Sequence, residues 1–96
     1  MAGFEKVFVV DASYCEDGGN ARAPFREAHV KRAMELHAAG TLVLAGGFED
    51  LSGSLVIYRL PDEAAVRALV ESDVYWREGV WVDYTVRACN VLTTDA

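Results

Sequence analysis

TLVLAGGFEDLSGSLVIYRL, residues 41–60, is the stretch whose reading decides the fold. It holds two short runs rich in Leu, Val, Ile and Tyr, residues 41–48 and 53–60, separated by Glu49-Asp50-Leu51-Ser52, so it reads as an antiparallel hairpin. Neither run alternates cleanly between polar and apolar, which points to strands covered on both sides. Gly46-Gly47 inside the first run reads as a bulge or a close backbone approach, a place where a ligand or another chain can come near.

Outward from the hairpin, each side carries one helix and then one strand. Residues 24–39 read as a helix, with Pro24 suited to its first turn and Gly40 as its stop. Pro61-Asp62-Glu63 opens the other helix, with Asp62 as N-cap and acids at the positive end of the dipole. Residues 4–12 (FEKVFVVDA) and 79–92 read as the outer strands, and residues 93–96 as a frayed end. Residues 13–23 (SYCEDGGNARA) have no apolar period and read as a long loop, either a rim over a ligand site or a plain connector.

The order strand, helix, strand, strand, helix, strand predicts an α+β, ferredoxin-like βαββαβ fold: a four-stranded antiparallel sheet with two helices on one face. The other face is then bare. Strict alternation places Val7, Val9, Leu42, Leu44, Leu55, Ile57 and Trp81 on one face and Phe8, Val10, Val43, Val56 and Val80 on the other, so both are apolar. An exposed apolar face of that size marks an interface, and a homodimer packed sheet to sheet is expected.

Composition narrows the function. Ninety-six residues suffice for a single domain, residues 1–96, with one two-layer core. The net charge of −6 argues against a nucleic-acid partner, which needs clustered Lys and Arg. No apolar run is long enough to span a membrane and no basic-then-apolar segment opens the chain, so a cytoplasmic location and no membrane partner are expected. Cys15 and Cys89 form no CxxC pair and have no His at ligand spacing, so no metal site is expected, and both thiols are read as free.

At one hundred degrees per residue, Phe25, His29, Ala33 and Leu36 share one face of the first helix with Arg32 close by, while Glu27, Lys31 and Glu35 lie elsewhere. His29 therefore points inward. In the second helix Val66, Leu69, Val70 and Asp73 share a face, if the helix persists that far. A single inward His is commonly a core residue bonded to a carbonyl. An inward His and an inward Asp on the only two helices are also what general acid/base chemistry needs. His29 lies about five residues into its helix and Asp73 about eleven, an axial offset on the order of 9 Å. A direct bond then requires the turn at residues 73–75 to fold back or the helices to be staggered; otherwise the two groups flank a ligand. Arg26 is read as an anion binder or a solvated charge, Tyr75 as a donor or stacking ring for a ligand or as core, and Ser54, with no base near it in sequence, as no nucleophile.

Four segments carry a family resemblance: Arg26-Glu27-Ala28-His29, Leu44-Ala45-Gly46-Gly47, Gly53-Ser54-Leu55-Val56 and Ser72-Asp73-Val74-Tyr75. In their order and spacing, over nearly the whole chain, the sequence resembles the YCII-related (YciI-like) family of dimeric α+β barrel proteins. Val74 and Gly47 depart from the pattern, each standing where the family has Pro. The resemblance implies a sheet-to-sheet dimer and an active site centred on His29 and Asp73, with Arg26, Ser54 and Tyr75 at the substrate. It also brings one known family activity, elimination of chloride from a chlorinated hydroxyquinone. The expectation is a small enzyme working without cofactor on a small molecule by proton transfer (elimination, isomerisation or lyase type). The alternative is a non-catalytic small-ligand binding module on the same fold.

Overall fold

The computed structural model describes the chain from residue 2 to residue 94. Its elements are β1 (Ala2–Tyr14), α1 (Gly18–Ala21), a 3-10 turn (Ala23–Phe25), α2 (Arg26–Ala38), β2 (Leu42–Gly47), β3 (Gly53–Tyr58), α3 (Glu63–Glu71), α4 (Val74–Arg77) and β4 (Trp81–Thr94). The strands form one antiparallel sheet in the order β2-β3-β1-β4. This is the α+β, ferredoxin-like arrangement that the hairpin and its flanks predict. Residues 95–96, half of the segment read as frayed, lie outside the described residues, while β4 carries pairing through Thr94.

The core fills the space between the sheet and the helices. Phe8, Val10, Ala12, Leu42, Val56, Tyr58, Val80 and Trp81 meet Val66 and Val70 of α3 and Tyr75 of α4. Burying each Val, Leu or Phe side chain among them is worth about 1.5–3 kcal/mol. α3 is well made for its task, since Asp62 accepts a 2.8 Å hydrogen bond from the Ala65 N–H and so satisfies one orphan donor at its start.

Two bulges change the face assignment. Between Leu42 and Leu44 the β2–β3 register slips, leaving Val43 without a partner, and between Ser13 and Tyr14 the β1–β4 register jumps so that Tyr14 faces Trp81 while Ser13 faces Asp83. An extra residue reverses the alternation beyond it. Leu42 and Trp81 therefore turn into the helix-side core, contrary to the strict alternation expected above, and Leu44 stays exposed. The bulge in β2 sits at Val43 and not at Gly46-Gly47. The bare face keeps Val9, Leu55 and Ile57 half-buried and Leu44 exposed, with the fully buried Val7 among them.

The stretch expected as a structureless loop is built. β1 runs to Tyr14, and the short α1 follows with Gly18 packed hard against Tyr14; a Cβ on Gly18 would come within 2.4 Å of the Tyr14 Cβ. Only a residue without a side chain lets α1 sit that close. Gly53 has the same role at the start of β3, where a Cβ would meet the Ala12 carbonyl oxygen at 2.1 Å.

Candidate active site

His29 lies one turn into α2, and its ring enters the helix-side layer with its side chain 15% exposed. Its Nδ1 is 2.9 Å from Oδ1 of Asp73, whose side chain is 7% exposed. The expected axial offset disappears because α3 ends at Glu71. Asp73 adopts an extended conformation after the Ser72 cap and becomes the N-cap of α4, its Oδ1 also accepting a 2.9 Å bond from the Tyr75 N–H. Asp73 thus points inward because of a turn, not because it shares a helix face with Val66. Val74 is the first residue of α4, a position where proline fits well, so its replacement of the family's Pro leaves the cap intact. Arg32 adds a tie, donating a 2.7 Å bond from Nη2 to the Ser72 hydroxyl next to Asp73.

The His29 ring is held on its face and at its edge. Tyr75 stacks on it with centroids 3.7 Å apart and planes within 6°, and Trp81 meets it edge-on at 5.3 Å and 87°. Contacts of this kind fix the ring's rotamer. An ionised carboxylate can only accept, so Nδ1 carries the hydrogen and donates to Asp73, which leaves the lone pair of neutral His29 on Nε2. Nε2 makes no hydrogen bond among the described residues.

A cleft of about 470 Å³ opens beside His29, between α2 and the β2 edge of the sheet. Its walls include Tyr14, Arg22, Arg26, Val30, Met34, Ala45, Gly47, Ser54 and Tyr75. Of the residues singled out from sequence, His29, Arg26, Ser54 and Tyr75 all line this cleft, and Asp73 lies behind His29. Arg26 is exposed, whereas Ser54 is buried and accepts a 3.2 Å bond from the Trp81 indole N–H. Burial holds the Tyr75 phenol above its usual range, an effect reinforced by the nearby Tyr14 and opposed by Arg22 and Arg26, so at neutral pH it is a neutral donor. Two wall residues escaped the sequence reading. Tyr14 continues the alternation of Phe8, Val10 and Ala12 and could have been found by extending that strand; Arg22 had no periodic signal.

Among the described residues no group of three or more His, Cys, Asp or Glu side chains comes together in a way that could hold a metal ion. Cys15 and Cys89 are both free. No described helix is long and apolar enough to cross a membrane.

The family model for the YCII-related domain matches residues 7–90. No curated protein matches the chain. Among solved structures, the fold is similar to that of a 5-chloro-2-hydroxyhydroquinone dehydrochlorinase from Burkholderia phenoliruptrix AC1100, determined in complex with 2,5-dihydroxybenzoquinone. The two share 20% identity at a TM-score of 0.72, over 84% of this chain and 90% of that one.

Proposed function

The chain belongs to the YCII-related domain family, and from that premise we propose that it is a small acid/base enzyme acting on a small molecule in the His29 cleft. The observation that carries this reading is the 2.9 Å contact from His29 Nδ1 to Asp73, with Nε2 left free beside a cleft wide enough for a single ring. Nε2 takes a proton from the substrate, and Asp73 orients the ring and stabilises the imidazolium that forms. The proton then returns to another atom in an isomerisation, or the electron pair expels a leaving group in an elimination. Arg26 and Tyr75 contact the substrate from the cleft wall, and Ser54 shapes the wall from behind. Nothing in this scheme calls for a cofactor.

The structural neighbour acts on a chlorinated hydroxyhydroquinone, which makes enolisable hydroxylated rings the first substrates to try. A panel that includes 5-chloro-2-hydroxyhydroquinone, read by loss of substrate and release of chloride, should show turnover that falls roughly 10²–10⁴-fold in His29→Ala. Undiminished turnover in a folded His29→Ala protein removes the proposal. Binding of panel members without turnover of any of them favours the ligand-binding module.

The same reading includes a homodimer packed through the bare sheet face, where the half-buried Val9, Leu55 and Ile57 and the exposed Leu44 collect apolar surface without a helix over it. Light scattering at micromolar concentration should give twice the chain mass, and a monomer there contradicts the pairing.

A further inference from the structure

Half-buried Arg32 lies three residues beyond His29 on α2, and the proton-transfer scheme does not use it. Residues three apart on a helix are surface neighbours, so His29 and Arg32 leave α2 side by side. What they meet is also adjacent. His29 Nδ1 is 2.9 Å from Asp73 Oδ1, and Arg32 Nη2 donates at 2.7 Å to the hydroxyl of Ser72, the preceding residue. Two neighbouring side chains of one helix thus hold two consecutive residues of the turn between α3 and α4. One bond alone is a pivot about which the turn can rotate, and a second bond beside it removes that rotation.

The tie continues past Ser72, whose Oγ donates in turn at 2.8 Å to the Leu69 carbonyl near the end of α3. That helix has no basic residue in its own last turn, where a cation is favoured. Arg32 therefore brings to the end of α3 a charge that α3 lacks, and a structural brace would need nothing more. Two observations exceed a brace. Nε of Arg32 is buried without a hydrogen-bond partner among the described residues, which costs stability and is not required for Nη2 to reach Ser72. The guanidinium also acts on the same ground as Asp73. Burial holds the Tyr58 phenol well above its usual range, Asp73 pushes it further up and Arg32 pulls it back, so both charges lie within reach of one buried hydroxyl. Yet Arg32 and Asp73 make no direct ion pair among the described residues. The Arg32 charge offsets the carboxylate at one remove and leaves Oδ1 to His29 and the Tyr75 N–H.

We infer that Arg32 is a positioning residue for the His29–Asp73 pair: through Ser72 it fixes the turn that aims the carboxylate at Nδ1, and its charge compensates that carboxylate without drawing it off the ring. The inference rests on the acid/base reading of His29 and adds the group that keeps the two members in register. A carboxylate that swings away frees the neutral ring to carry its hydrogen on Nε2, and the cleft then faces a donor instead of a base.

The test needs no ligand. In ¹⁵N-labelled protein with a neutral His29 ring, NMR follows the tautomer and the rate at which the Nδ1–H proton exchanges with solvent. Arg32→Gln should quicken that exchange roughly ten-fold or more, since hydrogen bonds made by charged groups are the strong ones. Ser72→Ala should quicken it as well, because the acceptor is gone, and the double variant should be no faster than the faster single one, since both break the same tie. Arg32→Lys should recover part of the protection, keeping the charge without the planar fork. Position 72 is exposed, so Ser72→Ala decides the matter if Arg32→Gln does not fold. A plain brace would lower the thermal midpoint in these variants and leave tautomer and exchange at wild-type values. That result overturns the inference, as does a double variant in which the two effects simply add. If His29→Ala destroys turnover of a panel substrate while Arg32→Gln changes neither exchange nor rate, the acid/base reading stands and the positioning role falls. If Arg32→Gln quickens exchange while turnover ignores His29→Ala, the positioning role stands and the acid/base reading falls.

Discussion

α3 spans nine residues and buries Val66 and Val70 completely, whereas α2 spans thirteen and buries none. The shorter helix has a carboxylate cap accepting from its own backbone, while Phe25 at the start of α2 offers no side-chain cap. Both lie on the same face of the same sheet, yet α2 leaves a gap against it, and that gap is the cleft. α2 rests on the core through the partly buried Phe25, Ala33 and Leu36 and presents His29 and Arg26 to the space left over. A helix that fills its layer stabilises the fold, and a helix that does not can hold a ligand.

Substitutions on the two sides should separate those roles. Asp73→Asn is expected to have the largest effect on chemistry, lowering the catalysed rate by roughly 10²–10⁴-fold, because an amide no longer fixes the His29 tautomer or stabilises an imidazolium. Asn caps a helix about as well as Asp, so α4 and the thermal midpoint should change little. If the variant keeps its rate, the support given to α2 by the turn before α4 is only structural. On the other side, Val66→Ala should lower unfolding free energy by about 1–3 kcal/mol in a denaturant titration, with activity per folded molecule unchanged. An activity loss larger than the folded fraction explains would join the two helices in one functional unit and dissolve the contrast.

How much of this was legible in the sequence differs along the same line. The hairpin, the two helices and the inward faces followed from period and turn residues, since burial imposes a repeat that the chain must obey. The bulges at Val43 and Val82 did not, because Leu42-Val43-Leu44 and Val80-Trp81-Val82 are apolar throughout and carry no polar marker to show where the alternation resets. His29 was visible as the polar member of an apolar stripe. Asp73 points inward through a fold-back of the turn after Glu71, one of the routes the sequence reading left open, and not through a helix face shared with Val66. Arg22 was hidden because α1, which positions it, is a four-residue helix in a segment rich in Gly and Asn, with no period long enough to read.

The most direct measurement is the ¹⁵N NMR spectrum of the His29 imidazole at a pH where the ring is neutral. The expected result is the Nδ1–H tautomer, with Nε2 unprotonated and facing the cleft, and a change of tautomer population in Asp73→Asn. A neutral ring protonated on Nε2, indifferent to the substitution at position 73, would leave no base pointing at a ligand and would contradict it.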